Sequence, residues 1–129
     1  MSYYFKTIIS KNFEDAIMKT KEALQQEGFG VLTEIDMAAT FKNKLDKEIS
    51  PYIILGACHP TSAFEAIEKE QLVGLMLPCN VVVRKITDSE TEVAAIDPMA
   101  SMISIQNSEL GLVAKTVQSK LQNVIKSLQ

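Results

Sequence analysis

Tyr52-Ile53-Ile54-Leu55 is an unbroken apolar run, entered from Pro51 and left through Gly56-Ala57-Cys58-His59-Pro60. Such a run, bounded by Pro and Gly and lacking polar alternation, marks a central strand or one covered on both faces. A second run, Val81-Val82-Val83, opens from the turn Leu77-Pro78-Cys79-Asn80. Both cysteines and the only histidine of the chain sit in these two turns. Nearly all the soft-nucleophile and soft-ligand chemistry open to the protein is therefore confined to the segment between them.

The flanking sequence supplies the rest of a sheet and its helices. Tyr3 to Ile9 is aromatic and β-branched, which suits an opening strand. Asn12 is placed to cap a helix, with Asp15 at its third position, and Phe13, Ile17, Thr20, Ala23 and Leu24 follow at helical spacing. Gly28 suits the left-handed position that ends that helix. Gly30 to Asp36 reads as a second strand, and Ala38 to Leu45 as a short helix with Phe41 and Leu45 inward. Pro60 fits the first position of a helix to Glu70, with Phe64, Ile67 and Ala63 inward. Cys79 to Ile86 and Glu92 to Ile96 form a hairpin about Asp88-Ser89-Glu90. Asp97-Pro98 ends the last strand, and Met99 to Ile105 is methionine-rich without a clear period. From Ser108, read as a cap, Leu110, Val113, Val117, Leu121, Val124 and Leu128 trace the buried seam of a terminal helix.

This pattern gives an α+β fold, a mainly antiparallel sheet with helices packed on one face, in a single domain over residues 1–129; a parallel βαβ sheet is the rival. A chain of 129 residues with 47% hydrophobic content can hold a core without metal or disulfide staples. A net charge of −3 provides no broad basic field, so nucleic acid is not expected as a partner. No basic-then-apolar leader opens the sequence, and the apolar stretch from Val73 to Val83 is too short and too broken for a membrane span. The expectation is a cytoplasmic protein with no membrane partner, in which two cysteines exist as thiols, metal ligands or transient disulfides.

Gly28-Phe29-Gly30-Val31-Leu32-Thr33-Glu34-Ile35-Asp36, Tyr52 to Cys58, Leu77 to Val83 and Ala95-Ile96-Asp97-Pro98, in that order and spacing, closely resemble the bacterial and archaeal family called domain of unknown function 302. The resemblance implies a TATA-binding-protein-like α+β fold with a curved antiparallel sheet, and a homodimer. It implies no activity. In the family pattern the residue after the first cysteine is commonly asparagine, whereas this chain has His59, so a family-wide role for an imidazole there is not expected.

The candidate ligand-binding residues are Cys58, Cys79, His59, Asn80 and Asp97. A thiol beside a helix N-terminus feels the positive end of the dipole, which favours thiolate at Cys58; a small buried hydrophobe at a strand end is the competing account. Should the two cysteine-bearing strands be neighbours, Cys58 and Cys79 come within reach of one soft metal ion such as Cu(I) or Zn, with His59 or one of Met76, Met99 and Met102 completing the shell. No Cys-x-x-Cys pair supports structural zinc. Asp97 has an ordinary explanation as a strand-ending cap. Glu34 and Asp36 share a side of their strand, and Gly28-Phe29-Gly30 follows a helix and so is no phosphate loop. With one histidine, no Ser-His-Asp set is legible.

Three functions follow as expectations. The first is a binding or carrier protein for a soft metal ion, a sulfur species or a small ligand at a two-cysteine pocket. The second is a thiol-dependent redox or transfer enzyme with Cys58 as nucleophile and Cys79 resolving. The third is a non-catalytic interaction module.

Overall fold

The computed structural model describes residues 2–129. Strands β1 (Tyr4–Ile9), β2 (Gly30–Asp36), β3 (Tyr52–Cys58), β4 (Cys79–Thr87) and β5 (Glu90–Ile96) form one antiparallel sheet in the order β1-β5-β4-β3-β2. The two apolar runs lie side by side within it, with Ile53 opposite Val83, Leu55 opposite Val81 and Ala57 opposite Cys79. Every pairing is antiparallel, which excludes the parallel βαβ alternative.

Side-chain alternation divides the sheet into two unlike faces. Ile9, Ile53, Leu55, Ala57, Cys79, Val81, Val83, Val93 and Ala95 are buried against helices α1 (Phe13–Gln26) and α5 (Leu110–Leu128). The central strands are thus covered by helix on one face only. Their unbroken apolar runs reflect a second face that is half-buried at Tyr52, Ile54 and Val82.

The helices largely begin and end where their caps require. Asn12 accepts from the Asp15 amide at 2.9 Å to start α1, and Gly28, at φ 85°, occupies the left-handed position after it. Helix α2 (Met37–Leu45) is capped by Asp36, which accepts from the Ala39 amide. Its Leu45 is exposed, contrary to the expected inward orientation, and the helix buries none of its residues. In α3 (Pro60–Lys69) the buried residues are Ser62 and Ala66, while Phe64 and Ile67 are exposed. Small residues face inward there because α3 packs closely against α5, with a 3₁₀ turn at Gln71–Met76 alongside. The methionine-rich segment resolves into a short helix α4 (Pro98–Ser101) and a 3₁₀ turn at Ile103–Ile105.

The α5 seam matches its pattern: Leu110, Val113, Val117, Leu121 and Val124 are all buried. Its cap does not. The helix starts at Leu110 with no side-chain cap, and Asn107, not Ser108, receives the Glu109 amide at 3.0 Å. Asn107 also donates to the Lys69 carbonyl, so it is anchored to α3 in a way that a cap on α5 alone would not require.

Candidate functional site

Because Ala57 and Cys79 are register partners, Cys58 lies one residue beyond the pair and next to β4. The adjacency on which the two-cysteine site depended is present. Cys58 and Cys79 both line an apolar cavity of about 290 Å³ at this end of the sheet. Its floor is Ala57 and Cys79; α3 contributes Ser62, Ala63, Ala66 and Ile67, α5 contributes Val113, Ala114 and Val117, and Leu77 and Pro78 close one side. Leu32 and the exposed Ile67 mark its mouth. The volume stands at the lower end of those that hold small organic ligands.

Both cysteines are free thiols. Burial pushes the Cys79 thiol up to about 11, and the neighbouring Cys58 adds to the rise. Burial also raises Cys58. Burial thus works against the activation expected of Cys58 from the helix dipole, and the N-terminus of α3 is already occupied. Its occupant is His59, which caps α3 through Nδ1, receiving the Ser62 amide at 3.4 Å and lying 2.8 Å from the Ser62 hydroxyl. An amide can only donate, so Nδ1 is the unprotonated nitrogen and the ring proton rests on Nε2. The ring packs edge-on against Phe29, centroids 5.5 Å apart. Burial, then the charge of Lys120, holds its pKa below the usual value. An asparagine side-chain oxygen would fill the same capping role.

The remaining candidates are dispersed. Asn80 is exposed and belongs to the opposite face of the sheet from Cys79, as alternation demands. Asp97 caps α4 by accepting from the Met99 amide at 2.9 Å and receives the Gln118 side chain at 3.1 Å, tying the end of β5 to α5. It does not line the cavity. Of the methionines, Met102 lines the cavity and Met99 borders a separate groove with Ile103. Glu34 pairs with Lys21 at 2.7 Å and Asp36 caps α2, so these carboxylates serve the fold. Among the described residues no cluster of three or more His, Cys, Asp or Glu side chains is arranged to hold a metal ion. No helix there is long and apolar enough to cross a membrane.

Sequence reasoning missed the α5 wall of the cavity and the role of Ser62. Val113 and Val117 were legible as inward-facing, but their seam gives no sign that a space is left beside it.

The arrangement defines a small α+β domain with an apolar, thiol-walled cavity between one end of its sheet and two helices. The chain belongs to the family of the domain of unknown function DUF302, whose model matches residues 5–128. The crystal structure of an uncharacterized conserved DUF302 protein from Bacillus stearothermophilus is similar over 100% of both chains, with 24% identity and a TM-score of 0.91. That likeness establishes the fold. A search of curated proteins gives no match.

Proposed function

We propose that this protein binds a small, largely apolar molecule in the cavity walled by Cys58 and Cys79, and acts as a binding or carrier protein. The observation that carries this reading is that two cysteines from neighbouring strands line one apolar cavity while burial keeps both thiols protonated. Protonated thiols are soft, polarisable wall groups that pack well against apolar or sulfur-bearing ligands. They are poor nucleophiles, so the reading does not require covalent chemistry.

Amide chemical shifts during titration with indole and naphthalene test it. Saturable shifts at Cys58, Cys79 and Ala114 support the reading, and their abolition by Ala63→Phe, a half-buried wall residue, ties them to this cavity. Unchanged amides with both probes count against it.

A second reading rests on Met102, whose thioether lines the same cavity as the two thiols. Three sulfur donors suit Cu(I). Stoichiometric Cu(I) uptake, lost in Cys58→Ser and weakened in Met102→Leu, is the result that selects it.

A further inference from the structure

The helix-free face of the sheet carries a polar trough that the cysteine cavity does not use. Strand register arranges its side chains in rows. Tyr4 stands beside Ile96; Lys6, Ala94 and Val82 follow one another in the next row, and Glu92, Arg84 and Tyr52 in the one after. The small residues Ala94 and Val82 form the floor, and the long ones stand around it, leaving a depression of about 520 Å³. Tyr4 on β1 and Tyr52 on β3 stand at diagonal corners, three strand spacings across and four residues along, roughly 20 Å apart, which is room for an aromatic ring with an attached anionic group.

Charge in the trough is asymmetric. The Glu92 side chain is only 11% exposed and is engaged at both oxygens, by Arg84 Nε at 2.6 Å and Lys6 Nζ at 3.4 Å. Arg84 and Lys6 are about half exposed, at 47% and 51%. The negative charge is thus held beneath two outward cations, and Arg84 is fixed through Nε while its terminal nitrogens meet no acceptor among the described residues. A guanidinium oriented this way presents its remaining donors as a fork suited to a carboxylate or phosphate. Tyr4 and Tyr52 add apolar ring surface.

We infer that this face is a second binding site, taking a small organic anion in which one carboxylate or phosphate is attached to an aromatic body: the anion meets Arg84 and Lys6, and the ring lies on Ala94 and Val82 between the tyrosines.

Titration of the full chain with 2-naphthoate, and separately with phenyl phosphate, followed by amide chemical shifts, tests this. The expected result is saturable shifts at Asn80, Val82, Ala94 and Tyr52, weakened about tenfold or more in Arg84→Gln and in Lys6→Gln and by added salt. Neutral 2-naphthamide is expected to leave these amides unmoved. Equal response to the neutral amide, or full affinity in both variants, overturns the inference. So do shifts confined to the cavity around Ala114, or trough amides that move with protein concentration and not with either anion, the mark of a second copy. Should Arg84→Gln lose its folded spectrum, Lys6→Gln on the edge strand carries the test alone.

Discussion

Pro78 packs across Gly56. A Cβ added at Gly56 would stand 2.8 Å from Pro78 Cγ and would collide with the Thr33 hydroxyl on the neighbouring strand. Strands β2 and β3 and the turn before β4 therefore converge at a point where only a hydrogen fits, two residues before Cys58. Gly56→Ala is expected to destabilise the protein by about 2–3 kcal/mol, since a β-branched threonine side chain and a proline ring leave little to relax. The loss should be partly recovered in Gly56→Ala combined with Thr33→Ala. The urea midpoint of each variant is the check, and a Gly56→Ala protein as stable as the parent would contradict this packing.

His59 makes a pH prediction with a definite sign. Its folded pKa lies below the ordinary 6.5, because burial and Lys120 disfavour the imidazolium. The unfolded chain binds the proton more readily, so the contribution is complete above 6.5 and is lost as pH falls from there through the folded value. Protonation at Nδ1 also ends the cap. His59→Asn keeps a capping oxygen and should flatten stability between neutral pH and pH 5, whereas His59→Ala should cost about 1 kcal/mol at neutral pH. A His59→Asn protein with the parent's pH slope would remove His59 as its source.

The two thiols should differ in reactivity. At neutral pH a group at about 11 carries about a hundredfold less thiolate than one at the ordinary 9.0; Cys58 is also raised but is only half-buried, so Cys79 should be the slower of the two to alkylate. Its rate should climb with pH and level only near 11. Mass-resolved iodoacetamide kinetics measure both at once, and rapid labelling of Cys79 at neutral pH would be incompatible with its burial.

Glu92 governs the acid limb. Burial works to raise its pKa, but bonding to Arg84 and the charges of Arg84 and Lys6 outweigh it, leaving the group below the ordinary 4.5. Stability from this ion pair is full above 4.5 and declines as pH falls through the lower folded value. Glu92→Gln should remove that decline and cost about 1–2 kcal/mol at neutral pH, since the half-exposed Arg84 recovers water when its partner loses charge. Acid denaturation of the two proteins should diverge only below about pH 5; coincident curves would contradict the assignment.

The strands were legible because Tyr52 to Leu55 and Val81 to Val83 announce interior strands, and α1 because Asn12, its apolar spacing and Gly28 agree at every level. Errors fell where tertiary packing overrides type. Phe64 and Ile67 read as inward, yet close approach of α3 to α5 reserves that side for Ser62 and Ala66. Of the candidate site, the cysteines and His59 were found because rare residues cluster in two turns. Asn80 was grouped with Cys79 by sequence adjacency, whereas neighbours on a strand face opposite ways and Asn80 lines the trough on the other face. The cavity itself was not legible: it is space between α3, α5 and the strand ends, and no residue encodes it alone.

Alkylation of both cysteines, timed in freshly purified protein with and without saturating naphthalene and accompanied by native mass spectrometry, bears most directly on the cavity as a binding site. The account expects Cys58 and Cys79 to be slowed together by the ligand and the protection to vanish in Ala63→Phe. Labelling of both that is indifferent to ligand and accelerated only by denaturant would contradict it, leaving the thiols as packing groups of the core.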